Sequence, residues 1–283
     1  MWMPLWPTSS PTSPEAGPAT VNESLSAALL GIVQGITEFL PVSSSGHLVL
    51  FQRWLPVAGD PLAFDLALHL GTLVPVLWVY RQDLWGVVKD TTTGEGAFFE
   101  RPGVRLLLLL VVATLPTAII GLSLEDLFEK LFHSPVAVGV AFAVTGTFLW
   151  FTQKIPRGDT EADGLSWKKA AAIGLVQGLA ITPGISRSGS TIAAGLFLGM
   201  DREAAARFSF LLSIPAIAGA FILKVGDLDM GGTSLAPILI GMTTSAISGY
   251  IALRVLIKLV RAGDFSKFAY YLWPLAVFAL LQG

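Results

Sequence analysis

Two stretches decide the fold: GIVQGITEFLPVSSSGH at residues 31–47 and GLVQGLAITPGISRSGS at residues 174–190. They align without gaps at an offset of 143, half the chain, with seven of 17 positions identical. Gln34-Gly35 matches Gln177-Gly178, in register with Ser43-x-Ser45-Gly46 against Ser186-x-Ser188-Gly189. Ser/Gly-rich composition alone would not give that combination. Each stretch lies inside an apolar segment, 25–55 and 170–200, that Pro, Gly and Ser interrupt in the middle. A loop of this kind at membrane depth cannot face lipid, because its backbone groups would lack partners. It can exist only inside protein or beside a water-filled cavity. Both segments therefore read as re-entrant helix–loop–helix hairpins.

The rest of the chain supports a membrane setting. Hydrophobic residues make up 53% of the 283 and charged residues only 13%, against about 25% charged in soluble domains. A spanning helix needs roughly 20 apolar residues, and six segments fit: 62–80, 104–122, 136–152, 203–224, 235–258 and a short 269–283. Residues 1–23, rich in Pro, Ser and Thr and free of Lys and Arg, read as a disordered extension. Residues 24–283 then form one membrane domain, with repeat one at about 24–152 and repeat two at about 170–283. Each copy holds one hairpin and three spans. Three is odd, so the second copy enters from the other side. The expectation is an all-α integral membrane protein with an inverted-topology repeat, whose site lies where the broken elements meet.

Lys and Arg cluster in 81–105, 154–169 and 254–267. The positive-inside rule puts these regions in the cytoplasm and both termini outside. The net charge of −2 offers no basic surface for nucleic acid. The absence of cysteine excludes disulfides and thiolate metal sites.

Ionisable residues within membrane segments are costly and mark function. The two breaks hold Glu38, His47 and Arg187. Arg187 lies in Ser186-Arg187-Ser188-Gly189-Ser190-Thr191, where a guanidinium fork, hydroxyls and a helix start make a phosphate cradle. The plainer alternative is a structural pairing of Arg187 with Glu38. Gln34 and Glu38 are four apart and share a helix face. A carboxylate repels phosphate unless a cation lies between them, so Mg2+ or Ca2+ near Glu38 is expected. His47 suits acid–base or nucleophilic work, and its place in the break sets it across from Arg187. Ser43 and Ser44 are donors to phosphate or nucleophiles that His47 activates. Asp65 and His69, also four apart, form a candidate supporting pair. Glu203 and Arg207 hold the corresponding place in the second copy, with no chemistry assigned.

The motifs QGITEFLPVSSSGH at 34–47 and PGISRSGST at 183–191 resemble those of the bacterial undecaprenyl-diphosphate phosphatases, also called bacitracin-resistance proteins. The resemblance runs from about residue 24 to the end. It implies an enzyme of the bacterial inner membrane that removes the terminal phosphate of undecaprenyl diphosphate for peptidoglycan synthesis. It further implies a divalent cation and a site open to the periplasmic face. By motif position it implies roles for Gln34, Glu38, Ser43, Ser44, His47, Ser186, Arg187 and Thr191. Gln34 stands where many members carry Glu. The expected catalytic set is Glu38, Ser44, His47 and Arg187, with Glu38 also the metal ligand. Gln34, Ser43, Ser186, Ser188, Gly189 and Thr191 would bind substrate. The attacking group stays open among Ser44, His47 and water. The competing reading is a polyprenyl-phosphate transporter or flippase using the same cradle. The oligomeric state is open, a homodimer among the options.

Overall fold

The structure, a computed structural model, describes residues 22–55, 60–228 and 235–282. Most of the extension read at 1–23 lies outside these residues. Its last two positions belong to the fold instead: Asn22 caps the first helix through Oδ1, which accepts from Ser24 N at 2.9 Å. Capping starts the helix earlier than composition suggested.

The described residues form twelve α-helices and no strand beyond one isolated bridge, Thr160–Met200. The first break lies between α1 (Glu23–Phe39) and α2 (Ser44–Phe51); α3 (Pro61–Val79) and α4 (Arg81–Thr92) follow. Next come α5 (Pro102–Ser123), the short α6 (Glu125–Phe132) and α7 (Pro135–Phe151). The second copy contains α8 (Trp167–Leu179), α9 (Arg187–Phe197), α10 (Arg202–Lys224), α11 (Leu235–Ala262) and α12 (Ala269–Leu280). Pro61, Pro102 and Pro135 open three of the long helices. Proline is suited to that place, because its missing N–H would have no partner there anyway.

Five helices are long and apolar enough to cross a membrane: α3, α5, α7 with the turn after it, α10 and α11. The sixth segment, read at 269–283, differs. Its α-helix is only 12 residues, and a 3-10 turn at Asp264–Phe268 leads into it. Outward-facing side chains are apolar, among them Ile119, Val74 and Ile222. Gln34, Glu38, His47, His69 and Ser209 are buried. This polarity, apolar outside and polar within, suits a chain solvated by lipid.

The two copies pack reciprocally, α1 along α11 and α8 along α5. The glycine pairs of the repeat explain the fit. A Cβ at Gly31 would strike Gly241 O at 2.3 Å, and one at Gly35 would strike Ser245 O at 2.4 Å, both in α11. A Cβ at Gly174 would meet Ala113 O of α5 at 2.0 Å. Lipid is as apolar as a side chain, so close backbone approach of this kind drives helix association in membranes. Two further pairs, α3 with α11 and α7 with α12, complete the bundle.

Candidate active site

Both breaks are built on one plan. The serine before each second helix folds its hydroxyl onto the helix start. Ser43 Oγ accepts from Gly46 N at 3.4 Å, and Ser186 Oγ from Gly189 N at 3.0 Å. The hydroxyl pairs Ser43–Ser45 and Ser186–Ser188 both lie 3.3 Å apart. The turns differ. The second uses Gly184 at φ 89°, where a glycine carries no strain. The first uses Ser43 at φ 68°, the one non-glycine positive φ among the described residues. Backbone strain of this kind needs support from its surroundings.

Protein groups satisfy the loop backbone. Thr145 Oγ1 donates to Gly184 O at 3.1 Å and accepts from Ser186 N at 3.3 Å. Ser188 Oγ donates to Leu40 O across the two breaks at 3.4 Å. Small residues let the breaks meet: a Cβ on Gly46 would lie 3.1 Å from Gly184 Cα, and one on Gly189 3.1 Å from Pro41.

Glu38, at the end of α1, joins the two breaks. Its Oε2 accepts from Ser44 Oγ at 2.6 Å and from Gln34 Nε2 at 3.1 Å. Its Oε1 accepts from Arg187 Nη2 at 2.6 Å. Ser44 and Arg187 are equivalent positions in the repeat, each the first residue of its helix. The Glu38 side chain is only 6% exposed. A guanidinium has five N–H donors. Arg187 spends one on Glu38 and a long one, 3.5 Å, on Ser209 O. Thr191 turns inward to Ser209, with their hydroxyls 2.5 Å apart.

Beside this cluster lies a cavity of about 140 Å³. Glu38, Arg187, Thr117 and Gln177 form its polar end. From there it runs between α5 and α10, past Ala118, Leu122, Ile217 and Leu223. These belong to the C-terminal halves of α5 and α10, away from the basic segments 81–105 and 254–267. Gln177 repeats Gln34 and donates to Thr117 Oγ1 at 3.1 Å.

The structure brings Gln34, Glu38, Ser44 and Arg187 together and sets Thr191 behind them. Ser43, Ser186, Ser188 and Gly189 shape the two helix starts. Both ring nitrogens of His47 are engaged outside the Glu38 cluster. Its Nδ1 lies 2.7 Å from Ser43 O, and its Nε2 2.8 Å from the Tyr271 hydroxyl. A carbonyl only accepts, so Nδ1 donates, and in the neutral ring Nε2 accepts from the phenol. The imidazole near Glu38 is that of His69, Nε2 to Oε2 at 3.7 Å. The Asp65–His69 side-chain pair does not form. His69 Nδ1 meets the Asp65 backbone carbonyl at 2.7 Å, while the Asp65 carboxylate takes Gln52 Nε2 at 2.7 Å. Sequence reading missed His69 as a neighbour of Glu38 and Ser209 altogether, and gave Gln177 no place in the site. Only the repeated Gln-Gly pair signalled Gln177; nothing in the apolar run of α10 singles out Ser209.

A divalent cation fits this donor set in one form. Among the described residues no three His, Asp or Glu converge. Gln34 must turn its amide nitrogen to Glu38, since a carboxylate only accepts. Its Oε1 is thereby left buried without a hydrogen-bond partner. One carboxylate and one free amide oxygen suit Mg2+, which keeps waters and binds through few protein ligands plus substrate phosphates.

Residues 27–278, from inside α1 to inside α12, match the family described as bacitracin resistance protein BacA. The chain is 48% identical over 271 residues to an undecaprenyl-diphosphatase of Desulfosudis oleivorans, covering 92% of this chain and 99% of that one. It is 44% identical over 266 residues to an undecaprenyl-diphosphatase of Alkaliphilus metalliredigens, covering 90% and 97%. A third, from Methanosphaera stadtmanae, is 41% identical over 268 residues, covering 91% and 97%. The match takes in both breaks, the Glu38 cluster and all five long helices, and by it the chain belongs to the bacitracin resistance protein BacA family.

Proposed function

We propose that this chain is an undecaprenyl-diphosphatase, a membrane hydrolase that removes the terminal phosphate of undecaprenyl diphosphate and leaves undecaprenyl phosphate. Its family and relatives support the reaction. One observation carries the site: a buried carboxylate holds a hydroxyl from one break and a guanidinium from the other. A structural ion pair alone would not need Ser44 on the same carboxylate.

The isoprenoid tail lies along the apolar run between α5 and α10, with the diphosphate at the polar end. Arg187 turns its unused N–H groups to the terminal phosphate, and Glu38 fixes the plane of the guanidinium. A divalent cation at Glu38 and Gln34, when bound, neutralises phosphate charge. Ser44 Oγ, in contact with a base at 2.6 Å, is the nucleophile. Its oxygen bonds to the terminal phosphorus, its proton passes to Glu38, and the bond to the bridging oxygen breaks. Undecaprenyl phosphate departs. Water then displaces Ser44 from phosphorus, Glu38 returns its proton to Oγ, and the water proton leaves with inorganic phosphate. Most of the rate comes from positioning and fixed charge, as is general in phosphoryl transfer.

The finer topology follows the same reading. The turn Asp264–Phe268 and α12 together rise about 28 Å if collinear, near the roughly 30 Å of bilayer core, and so make the sixth span. The two breaks are re-entrant hairpins of an inverted repeat. The basic segments face the cytoplasm, so the cavity along the distal halves of α5 and α10 opens outward.

The test is phosphate release from undecaprenyl or farnesyl diphosphate by purified protein in detergent, with Mg2+ or EDTA, beside Arg187→Ala and Glu38→Ala. Cation-dependent release lost in both variants supports the reading. Folded protein that releases no phosphate overturns it in favour of a transporter, since detergent leaves no compartments to transport between.

A further inference from the structure

A second polar cavity, of about 360 Å³, lies at the basic end of the bundle. Small-molecule sites run from roughly 300 to 1,000 Å³. It forms where the ends of α3 and α11 meet the starts of α4 and α10, and it shares no lining residue with the Glu38 cavity. Four cations line it, Arg207, Arg254, Lys258 and Arg261, against two carboxylates, Asp83 and Glu203. Both carboxylates are already engaged: Arg207 pairs with Asp83, and Arg261 with Glu203. Arg254 and Lys258 have no acidic partner among the described residues. They stand four apart on α11, so they share a face. The Nε of Arg207 is buried and has no hydrogen-bond acceptor. The wall is completed by Tyr80, which is buried.

A cationic helix end that only fixes topology needs no cavity. Its side chains would spread into water, each on its own bearing. Here the cations converge on one space, with an excess of two positive charges over the carboxylates. That excess matches the charge of a phosphomonoester, about −1.5 to −2 at neutral pH. Guanidinium forks and an ammonium are also the donors that phosphate oxygens select. We propose that this cavity is a second phosphate site, distinct from the Glu38 cluster, that takes a phosphomonoester group. Beside Arg254 and Lys258, Ile251 and Val255 are exposed on α11. The mouth therefore borders the lipid-facing strip, and a lipid headgroup can reach it as well as soluble phosphate. Basic pockets between membrane helices are suited to anionic headgroups.

The test is native mass spectrometry of the purified full-length chain in detergent, titrated with dioleoyl phosphatidic acid and, separately, dioleoyl phosphatidylcholine. The variants are Arg254→Gln/Lys258→Gln, whose side chains are exposed and unpaired, and Arg187→Ala, which disables the other site. Phosphatidic acid should bind the wild type and Arg187→Ala alike, and bind the double variant on the order of tenfold more weakly. Phosphatidylcholine should bind none of them specifically. Unchanged affinity in the double variant, or equal binding of the two lipids, overturns the proposal. Inorganic phosphate then separates the sources. Competition at millimolar phosphate supports a site that also takes the soluble ion; no competition supports a headgroup site. Phosphate release from farnesyl diphosphate by the double variant should stay within about twofold of wild type, so failure here is separable from failure of the hydrolase reading.

Discussion

In the first break Ser44 opens the second helix; in the second break the equivalent residue is Arg187, and both reach the same carboxylate. Around them the breaks are alike in how their helices are seated and started, though their turns differ. The glycine pairs seat α1 on α11 and α8 on α5, and the serines at 43 and 186 cap the helices that follow. They are unlike where chemistry is carried. Opposite Glu38 in the repeat stands Ile181, and opposite His47 stands Ser190. The packing brings the equivalent positions 44 and 187 together on one carboxylate. Two arginines there would repel, and two serines would leave a phosphate without a counter-charge. The repeat thus supplies the geometry, and departure from the repeat supplies the reactivity.

The sharpest way to break that comparison is at the unlike pair. Ser44→Ala should lower kcat by on the order of 10⁴ or more while leaving KM within a few fold, since a nucleophile acts only in the chemical step. Phosphate-release kinetics would read this, and a phosphoserine trapped on rapid quenching should vanish in the variant. A loss of less than tenfold would remove Ser44 as nucleophile and leave His47 or water. Arg187→Ser makes the two breaks alike at that position. Loss of one charged transition-state donor costs about 10²–10³ in kcat, and here the Glu38 carboxylate also loses its partner at 2.6 Å. Activity kept within tenfold would show that the guanidinium serves structure alone.

The like positions should respond alike, through stability. Gly31→Val and Gly174→Val each drive a side chain into the backbone of a neighbouring helix, at Gly241 O and Ala113 O. Overpacking costs roughly 1–3 kcal/mol, and more where backbone cannot yield. Thermal unfolding in detergent should show both variants destabilised by similar amounts. A large loss at one and none at the other would mean that the two halves are not packed as equivalents.

How far the sequence could be read follows the same division. Helix existence was legible because long apolar runs have few alternatives, and the breaks because Pro, Gly and Ser stand out within them. Glu38 and Arg187 were legible as charges in apolar surroundings. The neighbours of each group were harder to see. His47 sits in the break by position, but its ring direction depends on Tyr271, 224 residues away. His69 lies on α3, where an i,i+4 carboxylate offered a more obvious partner than Glu38. Ser209 enters the site only because α10 crosses the start of α9. The last segment was legible as short, with its start at 269 matching that of α12; the five-residue 3-10 turn before it carries no hydropathy signal of its own.

The smallest effect is expected at Tyr271, and it decides what His47 does. The His47 ring donates to the carbonyl of Ser43, the strained residue just before Ser44, and Tyr271 holds the far side of the ring. On the proposed mechanism His47 would act as a positioning residue that braces the turn before Ser44. Tyr271→Phe removes one hydrogen bond and keeps the ring stack, whose centroids are 5.8 Å apart. It should cost about 0.5–1.5 kcal/mol of stability and change kcat by less than about threefold, because the Ser43 contact remains. His47→Ala removes the brace itself and should lower kcat further, together with the melting temperature. If Tyr271→Phe instead lowers kcat as far as Ser44→Ala while the protein melts normally, the imidazole is passing protons during turnover. His47 would then regain the catalytic place that its position in the break suggested, and the first break would carry two reactive groups against one in the second.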